Sequence, residues 1–240
     1  MRVAIVSDIH GNRTAFEAVL ADLRHTAPDL ILHGGDLADS GASPAQIVDR
    51  VRDLGWPGVL GNKDEMLAEP ESLTEFAKHS PKLQPLFEVI AKMAAATREL
   101  LGEERLAWLR GLPLVQTQGP LALVHAGPAS AWRAPSPEAS EEELEKVYGP
   151  LGHVVNIYAH IHRPYIRTLA SGRTIANTGS VSLSYDGDTR ASYLLLDDAK
   201  PTIRRVAYDL ATEIAALVDC GLPHVDWLAS MLKGGCFKMP

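Results

Sequence analysis

Five short polar segments, each placed directly after an apolar run, constrain the fold of this 240-residue chain more than any other feature. The segments are Asp8-Ile9-His10, Gly35-Asp36, Gly61-Asn62-Lys63-Asp64, His125 and His160-Ile161-His162. The runs that precede them, such as Ile5-Val6 and Val59-Leu60, are typical of short β-strands. In open α/β sheets the carboxyl ends of the strands form the crevice where ligands bind. The arrangement therefore predicts that several strand ends bring these side chains to one site.

The hydrophobic pattern at the start of the chain predicts alternating strands and helices. Arg2–Val6 and Leu30–Leu32 are short apolar runs, and apolar side chains recur at helical spacing between them. Ser43 and Pro44 provide an N-cap and a first-turn proline for a second helix, and Gly58–Leu60 is the next apolar run. This order predicts a parallel sheet with helices on its faces.

The pattern changes in the rest of the chain. Residues 65–111 carry helical patterns and predict an insertion that either covers the site as a lid or adds helices to the core. Strand patterns at Leu112–Thr117 and Leu121–Val124 are followed by a closely spaced run of strand patterns from Val154 to Val206, which predicts antiparallel pairing in the second half of the chain. Two helical patterns, Asp209–Val218 and Val225–Leu232, complete the sequence. Because no linker or repeat divides the sequence, we expect residues 1–240 to form a single α/β domain.

The chemistry of the five segments indicates a metal site. They supply carboxylate, imidazole and amide groups but no thiolate, a set that suits Mn²⁺, Fe, Zn²⁺ or Co²⁺ better than a soft metal. Side chains two residues apart point to the same face of a strand, so Asp8 and His10 are expected to share an ion, and His160 and His162 to hold one or two. A carboxylate such as Asp36 can bridge two ions at the ~3.5–4 Å separation of two-metal hydrolases.

Each segment alone has a simpler interpretation. An aspartate at a strand end is usually a turn or cap residue, and Gly61-Asn62 is typical of a tight turn. A lone histidine such as His125 more often packs in the core or lies on the surface. The occurrence of all five segments in one chain, each after an apolar run, is what favours a common metal site.

The segments resemble the motifs of the calcineurin-like metallophosphoesterase family. The family pattern is D-x-H, G-D, G-N-H-[DE], H and G-H-x-H, and each block has a counterpart between Asp8 and His162. The opening Ser7–Asn12 and the later Asn177–Val181 are similar to a bacterial branch related to diadenosine tetraphosphatases and small phosphodiesterases. The resemblance implies a metallophosphoesterase-type sandwich of two mixed β-sheets flanked by helices.

The resemblance also implies a dinuclear site whose two ligand sets share a bridging Asp36. The first ion would be held by Asp8, His10, Asp36 and His162, and the second by Asp36, Asn62, His125 and His160. The ions would be divalent or trivalent Mn, Fe, Zn, Co or Ni. The implied reaction is hydrolysis of a phosphoester by a metal-bridged hydroxide, with Asp36, Asn62, Lys63 and His125 as the catalytic positions.

Two positions depart from the family pattern. Lys63 replaces the histidine after Gly61-Asn62, and Ala159 replaces the glycine before His160. In relatives that histidine is assigned a contact with the phosphate or a part in protonating the leaving group. Lysine, with an ordinary pKa of ~10.4, is a poor general acid, so we expect a phosphodiester or phosphoanhydride substrate rather than a phosphomonoester. Ala159 keeps a small side chain and should have little effect.

Three further residues are candidates for supporting roles. Asn12 and Arg13 start a helix directly after the first ligand pair, where a helix N-terminus favours anions, so they are candidates for contacts with the substrate phosphate. Ordinary helix-start roles are the alternative for both. Asp64 is expected either to orient a ligand histidine or to serve as a turn residue.

Composition limits the possible partners. The net charge is −7, so no global positive field attracts nucleic acid, and no apolar stretch is long enough for a signal peptide or a membrane helix. We expect a cytoplasmic protein acting on a small phosphorylated substrate. The alternatives are a phosphomonoesterase or phosphoprotein phosphatase, a dinucleoside polyphosphate hydrolase, and a non-catalytic protein-interaction scaffold on the same fold. The scaffold is disfavoured because ligand-competent residues are retained at every ligand position.

Overall fold

The computed structural model describes residues 1–240 and contains two mixed β-sheets that share a hydrophobic core. Strands β1 to β9 are, in order, Arg2–Val6, Leu30–His33, Val115–Gln118, Leu121–Val124, Val155–Tyr158, Tyr165–Thr168, Thr174–Asn177, Ala191–Asp197 and Lys200–Val206. The strand orders are β2-β1-β8-β9 and β3-β4-β5-β7-β6. Apolar side chains of both sheets, such as Ile5, Leu194, Leu123 and Ile157, pack together between them. The predicted sandwich of two mixed sheets flanked by helices is confirmed.

Helices cover the outer faces of the sandwich. Helices α1 to α8 are, in order, Arg13–Thr26, Pro44–Asp53, Asn62–Ala68, Glu71–Ala77, Gln84–Arg110, Glu141–Tyr148, Leu210–Asp219 and Val225–Gly234. Phe16 of α1 and Val48 of α2 pack in one cluster with Val6 of β1. Tyr148 of α6 packs with Tyr158 of β5. The central strands are thus covered on both faces, which is why β1, β4 and β5 are almost wholly apolar and buried.

The predicted third strand, Gly58–Leu60, is reduced to a single parallel bridge between His33 and Gly58. The Val59 N–H still donates to the His33 carbonyl at 3.1 Å, but the Leu60 N–H donates to Pro113 at 2.8 Å instead of continuing along β2. The segment therefore changes partner after one step, and no continuous ladder forms. This prediction was wrong in extent, although the segment still runs beside β2.

The prediction of antiparallel pairing throughout the second half was wrong for two pairs of strands. The neighbours in sequence, β3–β4, β6–β7 and β8–β9, do pair antiparallel. However, β4 pairs parallel with β5, and β5 pairs parallel with β7. The connection from β4 to β5 contains α6, and that from β5 to β7 contains the edge strand β6. Each connection returns the chain to the starting end of the sheet, so the next strand runs in the same direction.

The insertion predicted at residues 65–111 is helical and mostly serves as core. It contains α4, α5 and most of α3, and α5 is interrupted at Gly102, whose φ is 70° and ψ is 165°. Phe87 and Leu101 of α5 are buried in the main cluster, and Met93 is buried in a second cluster with α7 and α8. Ile90 is the residue of α5 that reaches the cavity at the predicted ligands.

The C-terminal helices are fixed to the body of the fold through that second cluster. Leu217 of α7 and Leu228, Met231 and Leu232 of α8 are buried in it beside Met93. Both helices begin near the predicted positions, and both end one or two residues later. None of the helices has the length and apolar character needed to span a bilayer.

Candidate metal centre

The predicted ligand residues lie in the turns that follow β1, β2, β4 and β5 and in the first turn of α3. Six of them are buried: Asp8, His10, Asp36, Asn62, His125 and His162. The seventh, His160, is partly buried. The structure thus brings together, at one end of the sandwich, every residue that the motifs suggested as a ligand.

Five of the seven ligand residues have a left-handed backbone, so a continuing strand does not orient their side chains. The φ angle is positive at Asp8 (54°), His10 (49°), Asp36 (54°), His160 (66°) and His162 (56°). The expectation that strand alternation places Asp8 with His10, and His160 with His162, on one face was therefore wrong in its premise. A left-handed conformation costs a non-glycine residue on the order of 1–3 kcal/mol, and such residues cluster at functional sites. Here backbone hydrogen bonds hold it, including Asp8 N–H to Gly35 and His10 N–H to Asp36, both 3.0 Å.

The first group contains Asp8, His10, Asp36 and His162. One ligand atom from each of the four lies within 4.8 Å of the others. His162 Nε2 is 3.1 Å from Asp8 Oδ1, and His10 Nε2 is 3.9 Å from both Asp8 Oδ1 and Asp36 Oδ2. The two Nε2 atoms are 3.3 Å apart.

Hydrogen bonds to the backbone define which nitrogen of these rings carries the proton. Nδ1 contacts a carbonyl oxygen in His10 (Asp39, 2.9 Å), His125 (Gly34, 2.7 Å) and His162 (Leu183, 2.5 Å). Because a carbonyl only accepts hydrogen bonds, Nδ1 must be the donor. In a neutral imidazole, Nε2 is then left with a free lone pair, as in a metal ligand oriented by a second hydrogen bond.

In the first group, hydrogen-bond acceptors of different side chains therefore face one another. Asp8 Oδ1 is buried and has no hydrogen-bond partner, and the Nε2 lone pairs of His10 and His162 face each other. Three buried acceptors in contact repel one another unless a cation lies between them. The side chains present therefore fit a bound metal ion.

The second group contains Asn62, His125 and His160 beside Asp36. Asn62 Oδ1 is 3.0 Å from His125 Nε2 and 2.8 Å from His160 Nδ1. His125 Nε2 is also 3.5 Å from Asp36 Oδ2. Asp36 thus lies between the two groups and contributes oxygen to both.

Burial changes the proton affinity of several of these groups. It raises the pKa of Asp36 to about 8, and the negative charge of Asp8 acts in the same direction. Burial lowers the pKa of His10 to about 3, and the neighbouring His162 also acts to lower it. Burial lowers the pKa of His160 to about 3 as well, and His125 acts in the same direction. The two imidazoles are thus kept neutral, as metal ligands must be, and a cation beside Asp36 would replace the proton that burial favours.

Asp64 fastens together the two loops that carry Asp36 and Asn62. Its carboxylate accepts hydrogen bonds from the N–H groups of Asp36 (2.7 Å), Leu37 (2.9 Å) and Gly61 (3.2 Å). The loops lie so close that a Cβ on Gly61 would be 2.1 Å from Asp36 Oδ1, so only glycine fits there. Asp64 lies in the first turn of α3, where its bond to the Gly61 N–H caps the helix, and no hydrogen bond joins it to a histidine.

Lys63 lies at the rim of the site and is held by an aspartate that the sequence analysis missed. Its N–H donates to Asp36 Oδ1 at 2.8 Å, and its Nζ is 3.4 Å from Asp39 Oδ2. Asp39 is fully buried and also accepts hydrogen bonds from Ser40 and Thr97. No sequence signal distinguished Asp39, because its partners come from distant segments.

Asn12 and Arg13 occupy ordinary helix-start positions. Asn12 Oδ1 accepts the Ala15 N–H at 2.8 Å, its Nδ2 donates to Ser182, and its side chain is buried. Arg13 is exposed. Neither residue lines the cavity at the ligands, so the structure gives no support to the predicted phosphate contacts.

A cavity of about 120 Å³ opens onto the site. One wall is polar and includes ligand side chains, Ser40 and Lys63. The other wall is largely apolar and is formed by Ile90, Leu183, Tyr185 and part of the C-terminal segment. The Tyr185 ring stacks on the ring of His162 at 4.5 Å, so the apolar wall begins directly beside a predicted ligand.

Comparisons with known proteins identify several relatives of this chain. An uncharacterized protein of Methanocaldococcus jannaschii is 30% identical over 252 aligned positions that cover 96% of each chain. A symmetrical bis(5'-nucleosyl)-tetraphosphatase of Methylococcus capsulatus is 33% identical over 150 positions, which cover 61% of this chain and 50% of that protein. The match thus spans about half the length of the tetraphosphatase.

A solved structure of a metallophosphoesterase from Sphaerobacter thermophilus superimposes with a TM-score of 0.78 at 27% identity, covering 98% of this chain and 100% of that one. Residues 1–200 match the profile of the calcineurin-like phosphoesterase superfamily domain, which agrees with the resemblance seen in the motifs. With most of its length matched and a buried Asp/His cluster at the corresponding motifs, the chain belongs to the calcineurin-like phosphoesterase superfamily.

Proposed function

We propose that this phosphoester hydrolase binds two metal ions that share Asp36. One would be held by Asp8, His10, Asp36 and His162, and the other by Asp36, Asn62, His125 and His160. The observation that carries the proposal is the set of buried acceptors without donors: Asp8 Oδ1 and the Nε2 atoms of His10 and His162. Asp36 lies within 3.9 Å of His10 on one side and 3.5 Å of His125 on the other, which suits a bridging carboxylate.

The residues around the site suit displacement at phosphorus. When bound, the ions would supply positive charge to the phosphoryl oxygens and lower the pKa of a bound water. Hydrogen bonds within the chain hold the proposed metal ligands in place. Backbone carbonyls orient the imidazole rings of His10 and His162, and the Ser7 hydroxyl donates to Asp8 Oδ2 at 2.7 Å. Lys63, held by Asp39, places an ammonium group at the rim of the cavity, where it would contact a phosphoryl oxygen.

For the substrate we propose a phosphodiester. Lys63 supplies charge but replaces the family histidine that would protonate a poor leaving group, so the ester should carry a leaving group that departs without strong acid assistance. A phosphoanhydride meets the same requirement, and the relative named as a bis(5'-nucleosyl)-tetraphosphatase makes it the second candidate.

Metal analysis and turnover together test this function. We expect the purified protein, reconstituted with Mn²⁺, to hold two ions per chain and to hydrolyse bis(p-nitrophenyl) phosphate, and a chelator to remove both properties. One ion per chain with full turnover would contradict the dinuclear site. Absence of turnover with Mn²⁺, Fe²⁺, Zn²⁺, Co²⁺ and Ni²⁺ would refute the enzymatic proposal.

The substitution Lys63→His tests the argument about the leaving group. Because histidine can donate a proton near neutral pH, we expect the ratio of glycerol 2-phosphate to bis(p-nitrophenyl) phosphate turnover to rise by about tenfold or more, since only the alkoxide leaving group of the monoester needs that proton. Lys63→Gln is the matched control, since it keeps the backbone donor to Asp36 and removes the charge without adding an acid. It should lower both rates and leave their ratio unchanged. A ratio in Lys63→His equal to that of the wild type would show that protonation by this position does not decide the substrate.

A further inference from the structure

The cavity at the metal centre has an apolar side that the family motifs do not provide. It includes Trp227, Leu228 and Met231 of α8 and Phe237 of the following tail, here called the C-terminal wall. All four residues lie beyond residue 200, where the match to the superfamily profile ends. The C-terminal wall therefore lies outside the part of the chain that matches the superfamily profile.

The C-terminal wall is a fixed part of the fold. Leu228 and Met231 are buried in a cluster that also contains Leu183. The Trp227 Nε1–H donates to the Lys238 carbonyl at 2.8 Å, which folds the tail back onto α8. The Gly187 N–H donates to the Gly235 carbonyl at 2.9 Å, which ties the tail to the loop after Tyr185. The wall therefore has a defined position opposite the polar wall.

Phe237 extends a row of rings that starts at the metal centre. Its ring meets Tyr185 edge-on at 5.7 Å, and Tyr185 stacks on His162 at 4.5 Å with an interplanar angle of 19°. Phe237 nevertheless remains 46% exposed. A half-exposed aromatic ring that lines a cavity offers apolar surface for a ligand to cover.

We propose that the C-terminal wall binds the organic group of the substrate and selects phosphate esters in which this group is compact and apolar, about the size of one aromatic ring. The inference rests on the proposed function, because the metal ions and Lys63 would take the phosphoryl group and leave the apolar side of the cavity, to which the C-terminal wall belongs, to meet the rest of the ester. The cavity of about 120 Å³ is smaller than the ~150 Å³ apolar cavity that accepts benzene, and the phosphoryl group would occupy part of it. It is smaller than the ~300–1,000 Å³ of sites that enclose drug-sized ligands.

Phosphonates test this inference without turnover, because their carbon–phosphorus bond is not hydrolysed. We expect the Mn²⁺-loaded protein to bind phenylphosphonate about tenfold more tightly than methylphosphonate in titration calorimetry. Phe237→Ala should reduce this preference to about threefold or less by weakening phenylphosphonate alone. Met239→Ala is the matched control, since Met239 is 53% exposed in the same tail and does not line the cavity. It should keep the full preference.

The outcomes separate this inference from the proposed function. If wild-type protein binds both phosphonates equally, or if Phe237→Ala behaves like Met239→Ala, the C-terminal wall does not recognise the organic group. Either result would leave the proposed metal centre uncontradicted. If neither phosphonate binds, this inference fails, and hydrolysis of bis(p-nitrophenyl) phosphate by the same Mn²⁺-loaded protein decides whether the proposed function fails with it. 1-Naphthylphosphonate should bind no more tightly than phenylphosphonate, and markedly tighter binding would overturn the size limit.

Discussion

Replacing Asp36 with asparagine is expected to lower metal-dependent hydrolysis of bis(p-nitrophenyl) phosphate by about a thousandfold or more while the protein stays folded. Asp36 is the carboxylate between the two ligand groups, with Oδ2 3.9 Å from His10 and 3.5 Å from His125. With its carbonyl oxygen on the Lys63 N–H, asparagine presents an uncharged amide nitrogen in the place of Oδ2, so it cannot bridge two cations. The loss should appear in kcat and in the number of bound ions per chain.

The fold should survive because asparagine keeps the other contacts of this position. It tolerates the left-handed backbone (φ 54°) as well as aspartate does, and its carbonyl oxygen can accept the Lys63 N–H as Asp36 Oδ1 does. Asp53→Asn makes the same chemical change at an exposed site on α2 and should alter neither turnover nor metal content. Retention of wild-type turnover by Asp36→Asn, with its circular dichroism unchanged, would exclude the proposed bridging role.

Local patterns were sufficient to predict much of this architecture. β1 and β4 occupy the predicted ranges Arg2–Val6 and Leu121–Val124, because each is a short apolar run bounded by polar or turn residues. The candidate ligands could be recognised for a related reason. Each residue type is ordinary at the end of a strand, but five such segments occur in this one chain, and strand ends in α/β folds meet at one edge.

The orientation of the ligands could not be predicted in this way. Alternation along a strand placed His160 and His162 on one face, yet in the structure His160 approaches Asn62 while His162 approaches Asp8. Both residues lie beyond the end of β5 with positive φ. Tertiary contacts impose that conformation, as between the Tyr185 N–H and the His162 carbonyl, and no propensity in the segment encodes it.

Long-range contacts explain the other omissions. Asp39 has no motif around it, and its role arises only because Lys63 and Thr97 come from other parts of the chain to meet it. The helical pattern of Val225–Leu232 predicted a helix but not its place at the cavity, since the contacts of α8 are with distant elements. Parallel pairing of β5 with β7 is non-local in the same sense.

The substitution Asp64→Ala is expected to have the second large effect, this time on stability. Three buried N–H groups, those of Asp36, Leu37 and Gly61, would lose their acceptor at 2.7–3.2 Å. An unsatisfied buried donor costs about 1–3 kcal/mol, so the free energy of unfolding of the metal-free protein should fall by roughly 3 kcal/mol or more. Because these donors belong to the loops that carry Asp36 and Asn62, we also expect metal affinity to fall by about 10–100-fold.

Denaturant unfolding in the presence of a chelator, followed by Mn²⁺ titration of the folded protein, measures both effects. Asp64→Asn should lie between Ala and the wild type, since one amide oxygen can accept only part of the three donors. Asp219→Ala removes an exposed carboxylate at the end of α7 and should change stability by no more than about 0.5 kcal/mol. Burial and the nearby Asp36 raise the pKa of Asp64 to about 7, so below that pH its carboxyl is neutral in the metal-free protein, and cations that neutralise Asp36 would have to displace its proton to favour the ionised form. The difference between wild type and Asp64→Ala in metal affinity is therefore expected to be larger at pH 8 than at pH 6, and an equal difference at both values would contradict a role for the ionised carboxylate in holding the loops together.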